Sequence, residues 1–94
     1  MHEAFESVED DHLQFDRIEN PLSLRPDVCA FLLLDKLVPP TGKRDMIAAS
    51  GHDTIALATD CEALAGIATP EDIRTLRRCG VWYDDDEDCL KMFT

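Results

Sequence analysis

Basic residues are scarce in this chain: nine Lys and Arg stand against twenty Asp and Glu, a formal net charge of −11 over 94 residues. A field of that sign repels nucleic acid and anionic membranes, so direct binding to either is not expected. Long apolar runs are missing as well. None approaches the roughly 18 residues of a membrane span, and the first residues are acidic where a secretory leader needs a basic region followed by an apolar stretch. The sequence therefore predicts a cytoplasmic protein. In that compartment the four cysteines, Cys29, Cys61, Cys79 and Cys89, are expected as reduced thiols rather than as a disulfide framework.

Familiar catalytic and metal-binding spacings are missing too. No two cysteines or histidines sit at the short separation, roughly two to four residues, that marks a zinc site, so buried thiols acting as small hydrophobes are the expectation. Gly42-Lys43-Arg44 lacks the upstream glycine of a phosphate loop. The acidic run at 84–88 lacks the glycine and the terminal glutamate of a helix-loop-helix calcium site. One nucleophile-and-base arrangement can be drawn, with Cys61 at a helix N-terminus and His52 and Asp53 across the preceding strand, but the histidine lies at the far end of that strand and no catalytic signature surrounds the cysteine. The expectation is a protein that is not an enzyme, with no cofactor and no metal.

What the chain does have is segregated charge. Residues 1 to 19 hold Glu3, Glu6, Glu9, Asp10, Asp11, Asp16 and Glu19 against Arg17 alone, and Asp84, Asp85, Asp86, Glu87 and Asp88 follow one another without a break. The segment between them, 20–83, carries eight acids and seven bases and is close to neutral. Two acidic surfaces flanking an ordinary core attract basic partners; a solvated loop at 84–88 and disorder at the N-terminus are the plainer alternatives. Arg74, Arg77 and Arg78 cluster on one predicted helix and are expected to pair with the chain's own acids or with the helix dipole.

Periodicity gives the rest. Residues 1–22 are ambiguous: Phe5, Val8, His12 and Phe15 fit one helical face, whereas Leu13 and Phe15 alternate as in a strand, and Asn20-Pro21 ends either. From Pro26 the stripe Val28, Phe31, Leu32, Leu34 and Leu37 predicts a central helix, with Phe31, Leu34 and Leu37 buried, as far as Pro39-Pro40. A loop with Gly42 follows over Thr41 to Arg44. Asp45 can then cap a short helical turn through Ser50, closed by Gly51. Thr54 to Thr59 reads as a strand, and Asp60 starts a helix through Ile67. Thr69-Pro70-Glu71-Asp72 opens a further helix that Arg77, Arg78 and Gly80 close. Val81-Trp82-Tyr83 and Cys89 to Phe93 read as a hairpin with the five acids at its tip, and Trp82 as a packing residue. The fold class is α+β: a small, mainly antiparallel sheet with a C-terminal hairpin, packed by three or four helices on one face. Residues 1–22 form an acidic segment whose composition leaves it free to be mobile, and 23–94 a single globular domain.

The run LRRCGVWYDDDEDCLKMF, residues 76–93, with GHDTIALATD, residues 51–60, before it, is similar to short uncharacterised proteins of phages and other bacterial mobile elements. In size and acidity the chain also resembles anti-CRISPR proteins and DNA mimics. Those resemblances imply a phage-encoded inhibitor acting in the host cytoplasm, with a basic host protein as partner. The expected partner-binding residues are Asp84, Asp85, Asp86, Glu87 and Asp88, then Glu9, Asp10, Asp11 and Asp16. A self-associating structural or regulatory module, such as a homodimer joined through a sheet edge, is the alternative.

Overall fold

Short β-prone runs separated by turn residues cannot bury an apolar face alone, and here four of them share one sheet. The computed structural model describes residues 1–39 and 45–93. Its strands are β1 (Ile47–Ser50), β2 (Thr54–Leu57), β3 (Val81–Asp84) and β4 (Cys89–Phe93), all antiparallel, in the order β1-β2-β4-β3. Tyr83 pairs with Leu90 and Val81 with Met92, while Ile55 lies opposite Met92. That register puts Leu57, Val81, Leu90 and Met92, all buried, on one face with Ile55 and Tyr83. Trp82, Asp84, Cys89, Lys91 and Phe93 alternate onto the other face, where the Trp82 and Phe93 rings sit 4.5 Å apart. The architecture is α+β with a C-terminal hairpin.

Strand β1 replaces the helical turn expected from Asp45 to Ser50. Alanine's helix preference is worth only tenths of a kcal/mol per residue, and here the three-residue turn 51–53 folds Ile47–Ser50 back on β2. The Gly51 N–H closes that turn on the Thr54 carbonyl at 2.7 Å. The loop expected over Thr41 to Arg44 lies outside the described residues.

The helices follow their caps. In α3 (Cys61–Ile67) the Asp60 carboxylate accepts the Glu62 and Ala63 N–H groups at 3.0 and 3.2 Å. In α4 (Pro70–Arg78) Thr69 and Asp72 cap one another: the Asp72 N–H reaches the Thr69 hydroxyl at 3.2 Å and the Thr69 N–H the Asp72 carboxylate at 2.9 Å. Gly80 ends this run at φ 97°, where a β-carbon would also stand 2.7 Å from a methyl of Leu13.

Helix α2 (Pro26–Leu37) buries Cys29, Ala30, Leu33 and Leu34. Of the expected stripe only Leu34 is fully buried. Phe31 and Leu37 are half-buried, and Val28 and Leu32 face out. Residues 28–34 are apolar without interruption, so periodicity could not choose a face. The central helix is α4, which packs against α2, the N-terminal segment and β3.

Residues 1–22 form neither one helix nor a strand. Helix α1 (His2–Glu6) is followed by 3₁₀ turns at Glu9–Asp11 and Phe15–Arg17, with Leu13 at φ 60° breaking the run. Phe5 and Val8 join the core, and the Leu13 N–H donates to the Arg77 carbonyl at 3.1 Å. Among the described residues no helix is long and apolar enough to cross a membrane.

Candidate partner-binding surface

Five consecutive acids on a turn repel one another, yet the tip between β3 and β4 is ordered by contacts that use some of those charges. Asp84 ends β3, and one of its oxygens accepts the Asp86 and Glu87 N–H groups at 3.0 and 3.3 Å. The sheet register sets Lys91 diagonally across from Asp84 on the same face, and the ammonium reaches the other Asp84 oxygen at 2.7 Å and Glu87 at 3.2 Å. The Lys91 hydrogen bond, helped by the two backbone N–H groups, holds the Asp84 carboxyl below its ordinary value, and the same carboxylates raise Lys91. Asp88 sits in the left-handed region at φ 50°. It accepts the Tyr83 hydroxyl at 2.5 Å, a bond that pushes the phenol up to about 12. Asp85 and Asp86 remain exposed and outward.

Helix α1, which carries Glu3 and Glu6, lies beside this tip. His2 contacts Asp85 at 3.7 Å and Glu6 at 3.3 Å, and the Phe5 ring stacks on Tyr83 with centroids 6.4 Å apart. Acidic segments some eighty residues apart in sequence are thereby brought to one flank. Glu9 and Asp10 are exposed on the first 3₁₀ turn and Asp16 on the second. Asp11 turns inward: only 17% exposed, it binds Arg78 Nε at 3.0 Å and Arg74 Nε at 3.5 Å. Of the nine expected site residues, then, Asp11 and Asp84 hold the fold together, Glu87 and Asp88 are partly engaged, and the other five face solvent.

Asp84, Asp85 and Asp86 can each bring one oxygen within 4.8 Å of the others. Both Asp84 oxygens are already occupied, by Lys91 and by two N–H groups, which weakens the trio as a cation site.

Cys61 and Cys79 are poor nucleophiles. All four thiols are free. Burial, with Asp88 nearby, pushes Cys61 up to about 11 in spite of its place at the start of α3, and burial beside Cys29 pushes Cys79 up to about 12. His52 is exposed in the β1–β2 turn, at the opposite end of β2 from Cys61.

Two features of this flank were missed at the sequence level. Lys91 organises the tip, and its spacing from Asp84 would have suggested this once the hairpin register was fixed. The sequence groups Arg77 with Arg74 and Arg78, but among the described residues it pairs with no acid and donates from Nη1 to His12 Nδ1 at 3.0 Å and to the Val81 carbonyl at 3.3 Å. Burial, and then the Arg77 charge, lower the His12 pKa, and the contact leaves its proton on Nε2. Comparison of the chain with protein-family models, with curated proteins and with solved structures finds no match.

Proposed function

We propose that this chain is a non-enzymatic binding protein, of the kind phages encode, that docks its acidic flank on the basic nucleic-acid-binding surface of a host protein and blocks it. The observation that carries the reading is the contact of α1 with the hairpin tip, His2 on Asp85 and Phe5 on Tyr83, which merges two acidic segments into one surface. Charges within about 8 Å act together at physiological salt, so the merged surface projects a stronger field than either segment alone. Carboxylates on it would stand where phosphates lie, giving fast, salt-sensitive association and competition with DNA or RNA. The test is capture from a bacterial lysate on the immobilised chain, identification of the bound protein, and competition with duplex DNA. A basic nucleic-acid-binding protein released by DNA supports the reading; a captured protein indifferent to DNA overturns it.

One observation favours a second reading. Strand β1 is an edge strand with all four residues exposed, and an open edge can pair with that of a second copy. Sedimentation separates the two readings, since self-association through this edge predicts a dimer with no partner present.

A further inference from the structure

Three arginines on α4 meet different fates. Arg74 and Arg78 share Asp11. Arg77 makes no ion pair among the described residues, and its Nε is buried with no hydrogen-bond partner. In a chain with more than twice as many acids as bases, a half-buried cation without a carboxylate stands out. Burial works against its charge, and Glu9 offsets that only in part.

Arg77 lines a cleft of about 270 Å³ at the β3 edge, between α1 and α4. Its walls are aromatic, from Phe5, Trp82 and Tyr83, and Glu6, Glu9 and His2 complete the lining. Drug-sized ligands occupy about 300–1,000 Å³, so this cleft suits something smaller. A carboxylate would compensate Arg77. A plain anion, however, would meet Glu6, Glu9 and the field of the whole chain. A ligand that also carries an ammonium group meets both demands, and a flat apolar group suits the aromatic walls.

We propose that the cleft binds a small zwitterion of the aromatic α-amino acid class, with its carboxylate on Arg77, its ammonium toward Glu6 and Glu9, and its ring against Trp82 and Tyr83. The cleft shares Glu6 and Glu9 with the docking flank, but it is assayed on the chain alone, so failure of either reading leaves the other testable.

Trp82 is the single tryptophan, so its emission reports on this cleft without interference. The experiment titrates the intact chain with phenylalanine, with phenylalaninamide, which lacks the carboxylate, and with 3-phenylpropionate, which lacks the ammonium. A ligand of about a dozen non-hydrogen atoms should saturate with a dissociation constant of about 0.1–1 mM. Each analogue should bind at least about tenfold more weakly, the loss expected when one charged contact goes. Arg77→Met should abolish the saturable response to phenylalanine. Should that variant not fold by circular dichroism, the exposed pair Glu6→Gln with Glu9→Gln must weaken phenylalanine to the level of 3-phenylpropionate. A response linear in phenylalanine, an analogue that binds as well as phenylalanine, or saturation retained in folded Arg77→Met would overturn the proposal.

Discussion

Two acidic regions, the hairpin tip at 84–88 and the N-terminal segment at 1–22, look alike in composition and are held in opposite ways. The tip is tied locally: Asp84 is fixed by Lys91 on the adjacent strand and by two N–H groups of its own turn. The N-terminal segment is tied remotely, by Phe5 and Val8 in the core and by Asp11 on two arginines of α4 more than sixty residues away. In both, the carboxylates facing inward hold structure while those facing outward make the field. A count of acidic residues cannot tell these roles apart; their partners can.

The largest effect should come from the core that both regions share. Leu34 is 1% exposed, and Leu34→Asp leaves an unpaired charge in the interior, costing several kcal/mol of a total of about 5–15. Both regions should unfold together; a cooperative thermal transition at the native midpoint would contradict that. Asp11→Ala comes next. It leaves Arg78 without its carboxylate, while Arg74 keeps Glu71 at 2.6 Å, and should cost about 1–2 kcal/mol in urea denaturation, against less than about 0.5 kcal/mol for the outward Asp85→Ala. Equal losses from the two would erase the distinction between inward and outward acids.

Gly80→Ala should cost about 1–2 kcal/mol, because alanine resists φ 97° and its β-carbon meets Leu13. The change loosens the N-terminal segment and spares the tip, so hydrogen exchange should rise around residue 13 and not at 84–88. A smaller effect concerns pH. His12 is held neutral, with its pKa below the ordinary 6.5, so the unfolded chain binds the proton first and stability falls as pH drops below about 6.5. His12→Asn keeps an acceptor for Arg77 and should flatten that fall. Asp84, also depressed, contributes stability that is lost only at lower pH, as acidification passes its folded pKa.

The C-terminal half was legible because its signals agree: Thr69, Pro70 and Asp72 start a helix, Gly80 stops it, and alternation resumes at Val81. Residues 1–22 were not, since one short helix and two 3₁₀ turns leave no sustained period and their packing is set by α4, far away in sequence. Ile47–Ser50 misled because alanine favours a helix until a neighbouring strand offers hydrogen bonds. In the candidate surface the acids were visible and their division into inward and outward sets was not. That division depends on Arg74, Arg78 and Lys91, whose partners follow from helix packing and strand register.

The most direct test neutralises only outward charge. Asp85→Asn and Asp86→Asn with Glu6→Gln and Glu9→Gln should leave the fold intact, and affinity for the captured basic partner is then measured across salt concentrations. The account predicts weaker binding, mainly through a slower on-rate, and a flatter dependence on salt. Unchanged affinity with an unchanged salt slope would contradict it and leave self-association through β1 as the better explanation.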